Sequence, residues 1–230
     1  MFRRFMFAAL SLVTIGAMPV CAQIAIGQTA DITGQVTGAF GARKTPLANG
    51  ASVVQDEVVS TAAQSTARVA FHDLSSLAIA AQSSVKLDRF IYNPDVTASA
   101  ASLVLARGAF RFVTGNSPSR NISVKTPTAT IGLRGTVVDV LVGRGREIVV
   151  LKQGATIVCR ARTCVNIDVP GTGVYVTSGG VSQPTVSAAA EFDFDAMTNS
   201  RFYLYRPQLG APRGDNGAPA QSSSSGNSLH

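Results

Sequence analysis

The protein has 230 residues, of which 46% are hydrophobic and only 14% are charged. A chain of this length and apolar content can bury a core, which excludes a mainly disordered protein. It carries 21 Gly, no Trp and a formal net charge of +7, a composition typical of a turn-rich β protein and unlike a coiled coil or collagen. Histidine occurs only at His72 and His230, which weighs against a histidine-based catalytic triad or a histidine-rich metal centre.

The first 22 residues predict a cleavable secretory signal peptide. Arg3 and Arg4 precede an apolar stretch over residues 5–20, and small residues precede a cut after Ala22. A retained membrane anchor is the alternative, which the short length of the stretch disfavours. Cleavage would remove two arginines, lower the net charge from +7 to +5 and deliver the chain to the periplasm or outside the cell. No later apolar run reaches the roughly 20 residues that a membrane helix needs.

Two cysteines remain after the predicted cut, Cys159 and Cys164. We expect them to form a disulfide, because exported compartments are oxidising and the two are close in sequence. Their β-like flanks place them on the two arms of a hairpin, where closing so short a loop stabilises the fold by only about 2 kcal/mol. A redox-active pair is the alternative, disfavoured by a spacing longer than C-x-x-C. A zinc site would need further soft ligands, so we expect neither a metal nor a cofactor.

In chain order, short β-type runs separated by turn residues predict an all-β domain over residues 31–185, folded as a β-sandwich or a short β-roll. Alternating apolar and polar residues predict half-buried strands at residues 67–72, 85–88, 122–125 and 165–169. Nearly continuous apolar runs at residues 137–142 and 148–151 predict central strands covered on both faces. An exposed turn rich in glycine and charge joins them, and Gln153 and Gly154 are expected to end the second run.

The pattern changes after Pro184. Residues 186–206 predict a short helical extension docked on the β domain, with Ser187 as its N-cap and acidic residues in its early turns. The acidic side chains within residues 191–195 alternate with phenylalanines, and we interpret them as solvated charge rather than a cation site. Residues 207–230 contain 12 Pro, Gly or Ser and predict a disordered tail.

Four stretches of this sequence, in order, resemble the FecR domain, a periplasmic sensing domain of bacterial regulators. They are Gly34–Val36, which opens a strand; residues 47–61, similar to L-x-x-G-x-x-V-x-x-G-D-x-V-x-T; residues 67–79, similar to A-x-L-x-F-x-D-G-S-x-L-x-L; and residues 125–136 with 150–154, similar to T-P-x-A-x-x-G-V-R-G-T and V-L-E-G. Gln55 and Leu74 stand where the family favours glycine, so we expect those two turns to differ in detail.

The resemblance implies a non-enzymatic binding, sensing or assembly module in the bacterial envelope. The family's best-known members are anti-sigma regulators with a cytoplasmic segment and a membrane helix. A signal peptide precedes the domain here, so we expect no direct transfer of a signal to a sigma factor by this chain alone. The alternative is a secreted or cell-surface structural protein that binds polysaccharide or associates with itself along an edge strand. An enzyme ranks last, because no nucleophile or metal-ligand pattern is recognisable.

We interpret the family motif as mainly structural; its residues are Thr126, Pro127, Gly132, Arg134, Gly135 and Thr136. Proline suits a strand edge or entry, and the two glycines suit a tight turn. Arg134 is expected to lock that turn through backbone carbonyls or through Asp56 or Asp73. Anion binding by Arg134 is the functional alternative. Asp73 itself is expected to be a turn former that accepts backbone N–H bonds.

Two predicted hairpin turns carry arginines that would form a candidate anion-binding rim if the hairpins project from one edge: Arg144, Arg146, Arg160 and Arg162. Such a rim would meet an envelope protein partner or an anionic glycan or lipid surface. Solubilising charge on exposed turns is an equally good interpretation. Nucleic acid is a poor partner for an exported chain with scattered aromatic residues.

Overall fold

The computed structural model describes residues 23–92, 97–116 and 122–198. The predicted signal peptide, residues 199–206 of the predicted helical extension and the predicted tail lie outside the described residues. In the described ranges, none of the helices has the length and apolar character needed to span a membrane.

Strands dominate the described chain, so the all-β prediction is confirmed. The elements are β1 Ala25–Thr33, β2 Val36–Phe40, β3 Arg43–Pro46, β4 Ser52–Val54, β5 Val58–Thr61, β6 Thr66–Phe71, β7 Ser76–Ile79, β8 Ser84–Tyr92, β9 Ala98–Val113, β10 Ile122–Lys125, β11 Thr130–Val142, β12 Arg146–Arg160, β13 Thr163–Ile167, β14 Gly173–Thr177, β15 Gly180–Val181, α1 Val186–Glu191 and α2 Phe194–Thr198. The first strand begins at Ala25, ahead of the predicted start of the domain at residue 31.

The strands form one hydrogen-bonded network that folds into two layers, because three long strands belong to both. The first half of β9 pairs with β8 and β10, whereas its second half pairs with β7 and β11. The first layer, layer A, runs β3-β2-β5-β8-β9-β10-β11-β12-β13, and the second, layer B, runs β4-β1-β6-β7-β9-β11-β12-β14-β15. Every pairing is antiparallel except β9 with β10, which makes the sheet mixed.

Glycines mark the points where the long strands pass from one layer to the other. Gly108, Gly135 and Gly154 all have positive φ, at 104°, 59° and 82°. A methyl group on Gly154 would overlap the carbonyl oxygen of Gly135, so only glycine allows the two backbones to approach this closely. The expectation that Gly154 ends a strand is therefore wrong, since β12 bends there and continues to Arg160.

The main core lies between the two layers and takes side chains from nearly every strand, including Val59, Leu87, Leu103, Val138 and Leu151. A second, smaller core lies on the outer face of layer B, beneath the helices. The runs at residues 137–142 and 148–151 are therefore covered on both faces, as predicted: alternate residues point into the main core and toward the helices. Because both faces of these strands are buried, neither run has the polar face that an ordinary antiparallel strand presents to solvent.

A short helical segment follows the β domain, but its details differ from the expectation. Thr185 is the N-cap of α1, and its hydroxyl accepts a hydrogen bond from the backbone N–H of Ser187 at 3.2 Å. Glu191 lies at the end of α1, and the first turn of this helix contains no acidic residue. Serine and threonine are both favoured as N-caps, so composition alone does not choose between Ser187 and Thr185. Backbone hydrogen bonds between Thr185 and Gly173 of the sheet fix where the helix begins.

Candidate functional site

The motif loop that precedes β11 is held by a buried glutamate. The hydroxyl of Thr126 donates to Glu147 Oε2 at 2.5 Å, and the backbone N–H of Thr128 donates to Glu147 Oε1 at 3.2 Å. Glu147 pairs with Val142 at the far end of β11, so β11 bends enough for its two ends to approach each other. Thr126 thus helps to hold the entry to β11, and the structural role of Pro127 stays a prediction.

The end of the motif forms the corner between the layers. The backbone N–H of Thr136 donates to the Thr114 hydroxyl at 2.7 Å, and the Thr114 N–H donates to the Thr136 carbonyl at 3.0 Å. These bonds tie β9 to β11 beside Gly135. The segment from Gly132 to Gly135 is consequently part of a bent strand and does not form the expected tight turn.

Arg134 does not lock this corner. Its side chain is exposed and, among the described residues, has no hydrogen-bond or ion-pair partner. The two acids considered as its partners are engaged elsewhere: Asp56 forms an ion pair with Lys86 at 2.7 Å, and Asp73 accepts bonds from Ser75. The described residues show no such lock, so the structural role of Arg134 and its anion-binding alternative both stay predictions.

Arg134 lines a cavity of about 530 Å³ on layer A, between the ends of β11, β12 and β13. Asn166 and Asp168 contribute polar groups to the same cavity, and Ile122 and Ile157 contribute apolar surface. A methyl group at Gly132 would lie 2.8 Å from Ile157 Cγ2, so this glycine leaves the space that the isoleucine side chain takes. A free guanidinium, an amide and apolar walls in one concavity can hold an anion that carries an apolar group.

The predicted disulfide between Cys159 and Cys164 is present. The two cysteines are directly paired across the β12–β13 hairpin, with their Cα atoms 4.0 Å apart. The bond fixes β13 against β12 next to the cavity, since Asn166 and Asp168 follow Cys164 by only a few residues. It therefore steadies one wall of the Arg134 cavity.

The four arginines of the candidate rim lie in the turns at the two ends of β12, one turn in each layer. Arg146 is committed to an ion pair with Glu191 of α1. The other three, Arg144, Arg160 and Arg162, have no ion pair among the described residues. The structure thus separates Arg146 from the predicted group, and a rim of the remaining three stays a prediction.

A buried cluster that the sequence did not indicate lies on the outer face of layer B. Arg111 of β9 donates from Nε and Nη2 to both carboxylate oxygens of Asp139 on β11, at 2.6 and 2.8 Å. The same guanidinium donates from Nη1 and Nη2 to Asp195 of α2, at 2.7 and 2.9 Å. The side chains of Arg111, Asp139 and Asp195 are 5%, 0% and 40% exposed. Arg111 and Asp139 are direct neighbours on paired strands. This neighbourhood can be predicted only when the register of β9 against β11 is known.

The acidic residues of the helical segment are therefore not merely solvated charge. Glu191 binds Arg146 and accepts a hydrogen bond from the Tyr175 hydroxyl at 2.9 Å, while Asp195 binds Arg111. The preference for solvated charge is wrong for these two residues. In the described ranges no three side chains of the His, Cys, Asp or Glu types are grouped to hold a metal.

Burial is the largest influence on both members of the Arg111–Asp139 pair. It opposes the charge of Arg111, but the hydrogen bonds to Asp139 and Asp195 outweigh it and raise the pKa of the guanidinium. For Asp139, burial outweighs the contribution of Arg111 and raises the pKa of the carboxyl group. The Arg111 guanidinium stays charged in proteins. Its charge and hydrogen bonds favour the ionised form of Asp139, which burial disfavours.

The turn after β6 keeps the geometry that the family motif implies, although a leucine replaces its glycine. Leu74 has φ of 65°, in the left-handed region that favours glycine. The carboxylate of Asp73 accepts bonds from the backbone N–H and the hydroxyl of Ser75, at 3.1 and 2.5 Å. Asp73 is therefore a turn former as expected, while the expected change of the turn at Leu74 is absent from its backbone.

These features define a two-layer β domain with an arginine-lined cavity at a glycine corner. The sequence profile of the family described as FecR protein matches residues 57–156, which include both the corner and most of the cavity. The resemblance to the FecR domain seen in the sequence is therefore confirmed over residues 57–156. The match supports a sensing or signalling module.

Two crystal structures described as "a putative anti-sigma factor" from Parabacteroides distasonis are also similar to this chain. The identity is 15%, the TM-score is 0.43, and the similarity covers 54% of this chain and 57% of the other. Likeness at this level supports no inference about function. No curated protein sequence matches the chain.

Proposed function

We propose that the protein is an exported, non-enzymatic FecR-type module that senses an anionic ligand in the bacterial envelope. The observation that carries this proposal is the exposed guanidinium of Arg134, which has no ion pair with any described residue and lines a cavity of about 530 Å³. Such a guanidinium in a family motif has its planar fork available for a carboxylate or a phosphate. Export follows from the predicted signal peptide and is part of the proposal.

The cavity also limits the kind of anion. Ile157 is exposed at its mouth and Ile122 is buried beside it, so an apolar group on the ligand would cover surface that now faces water. Asp168 stands in the same cavity and disfavours a multiply charged anion by repulsion. A singly charged carboxylate or phosphodiester with an apolar body fits these three features best.

The alternative of polysaccharide binding gains no support from the described aromatic residues. Sugar stacking needs exposed rings, whereas Phe71 and Phe90 are buried and stack on each other with centroids 4.7 Å apart. Tyr92 stacks on Phe90, and its hydroxyl donates to the carbonyl of Ile26. This aromatic cluster is therefore part of the main core.

The test uses the full secreted chain, labelled with ¹⁵N, and two probes: a dodecyl phosphodiester below its micelle concentration and inorganic phosphate. We expect the phosphodiester to shift the amide resonances of Gly132, Arg134, Asn166 and Asp168, and Arg134→Ala to abolish the shifts. Arg162→Ala is the matched control, because Arg162 is exposed, lies outside the cavity and has no ion pair with the residues that the structure describes.

Arg134→Ala should leave the melting temperature within about 2 °C of the wild type, because no bond is lost. A large drop would return Arg134 to a structural role. Equal shifts in wild type and Arg134→Ala, or no shifts in the wild type with either probe, would contradict the proposed ligand class.

A further inference from the structure

The outer face of layer B carries a buried cluster that is separate from the Arg134 cavity. We call the sheet side of this cluster, together with the adjacent Arg111, the docking face; its cluster residues are Ala78, Ala80, Ala109, Ile148 and Val150. Residues 186–198, the C-terminal cover, lie on this face. Phe192 and Phe194 are the buried anchors of the cover, seated where three alanines leave room for aromatic rings.

The cover is ordered by the face and not by its own helices. Its two helices contain only six and five residues, and isolated helices shorter than about 12 residues are marginal in water. Glu191 of the cover forms an ion pair with Arg146, and the side chains of both residues are exposed. Val186 and Met197 are 69% and 55% exposed. The two helices of the cover therefore depend on the docking face for their order.

Arg111 presents one edge to the sheet and the other to the cover. The edge bound to Asp139 is buried within layer B and needs no cover to stay paired. The outward edge meets the carboxylate of Asp195, which is 40% exposed, and the guanidinium carbon lies 5.1 Å above the ring of Phe194. A guanidinium oriented by a buried carboxylate is a preformed site for a second carboxylate next to an aromatic ring.

Charge on the two surfaces is complementary. Around the docking face, as far as the structure describes it, the sheet presents Arg111, Lys152 and Arg146 beside the acid Asp139. The cover carries three acidic residues and no basic one. A segment that takes the place of the cover must therefore combine two aromatic side chains with an adjacent carboxylate.

We propose that the docking face is a receptor for an acidic aromatic segment of a partner protein, and that the C-terminal cover occupies it as an internal competitor. Tethering gives the cover a high effective concentration. A partner segment therefore binds only when it is tighter than the cover or when the cover is released. The chain's own segment from Glu191 to Asp195 alternates three acidic residues with Phe192 and Phe194. This alternation indicates the chemistry that the face accepts.

The probe is a fluorescent synthetic peptide with the sequence of residues 186–198, and the protein is the full chain. Phe192→Ala with Phe194→Ala weakens the cover without changing the sheet, so this variant should bind the peptide at least about tenfold more tightly than the wild type. A peptide with Asp195→Asn should bind the variant about tenfold less tightly, because it loses the bidentate carboxylate. Val186→Ala with Met197→Ala is the control, since exposed residues are removed and the anchors remain.

Equal affinity of the peptide for the wild type and the Phe variant would overturn the proposal, as would indifference to Asp195→Asn. A dimer of the Phe variant or wild type with exchanged covers, seen by size exclusion, would instead assign the face to a second copy of this chain. Hydrogen exchange on the wild type tests the idea without any variant. Amides of residues 186–198 should exchange faster than those of residues 148–151, and excess peptide should speed them further; equal protection in both segments would refute a replaceable cover.

Discussion

Replacing Arg111 with methionine tests how the docking face is held together. The change removes the partner of Asp139, whose side chain is fully buried and otherwise has only Lys152, at 4.0 Å, as a nearby cation. Leaving a buried carboxylate without its partner costs about 3–5 kcal/mol of the free energy of unfolding. Asp195→Asn, by contrast, breaks a bond to a carboxylate that is 40% exposed and should cost about 1 kcal/mol.

The pH dependence gives this prediction a sign. Burial raises the pKa of Asp139, and without Arg111 that influence acts unopposed. A carboxyl group whose folded pKa lies above its unfolded value of about 3.9 binds more protons in the folded state, so stability falls as pH rises from about 4 through the folded pKa. The deficit of Arg111→Met should therefore be larger at pH 7 than at pH 5.

Urea denaturation followed by circular dichroism measures both effects, and Asp139→Asn completes a double-mutant cycle. We expect the double variant to lose clearly less than the sum of the two single losses, because the buried charge and its partner leave together. A loss under about 1 kcal/mol for Arg111→Met at pH 7, or additive losses in the cycle, would refute the view of Arg111 and Asp139 as a coupled buried pair.

Three other changes test the backbone and a second buried acid. Leu74→Gly should raise the free energy of unfolding by about 1 kcal/mol, since φ is 65° there, and an unchanged urea midpoint would speak against strain. Gly154→Ala should cost more than about 3 kcal/mol, because its methyl group meets Gly135, whereas the control Gly171→Ala, with positive φ but open space, should cost about 1 kcal/mol; similar melting temperatures would exclude the steric argument. Burial raises the pKa of Glu57 against the lowering by the Val54 N–H, so Glu57→Gln should stabilise the protein at pH 7 and lose this advantage as pH falls through the raised folded pKa toward about 4.5; an advantage that grows in acid would contradict this sign.

Local pattern was sufficient for much of the fold. The alternation in residues 122–125 matches β10, and the doubly covered runs lie within β11 and β12. Side-chain alternation and double burial act over a few residues, so a strand can be recognised from its own sequence. The disulfide was predictable for the same reason, since Cys159 and Cys164 are separated by only five positions on one hairpin.

The ends of the strands and the shape of the motif were harder to predict, because glycine occurs both in turns and in bent strands. A glycine in a β-type run predicts a turn as readily as a bend, and Gly135 and Gly154 are bends only because each contacts the other across the β11–β12 pair. That contact depends on a register set by strands up to Arg160. The exposure of Arg134 was hard to predict for the same reason, since a bent strand leaves its side chain exposed instead of closing it into a turn.

The sequence by itself determined the class of the fold, the disulfide and the FecR-type motif, because each depends on neighbouring residues or on a recognisable order of residues. Only the tertiary structure decided which charged groups act together. Arg111, Asp139 and Asp195 are separated by up to 84 positions and meet because β9 pairs with β11 and the cover returns over both. No local pattern encodes such a meeting, since its energy depends on burial that exists only after the two layers and the cover have packed.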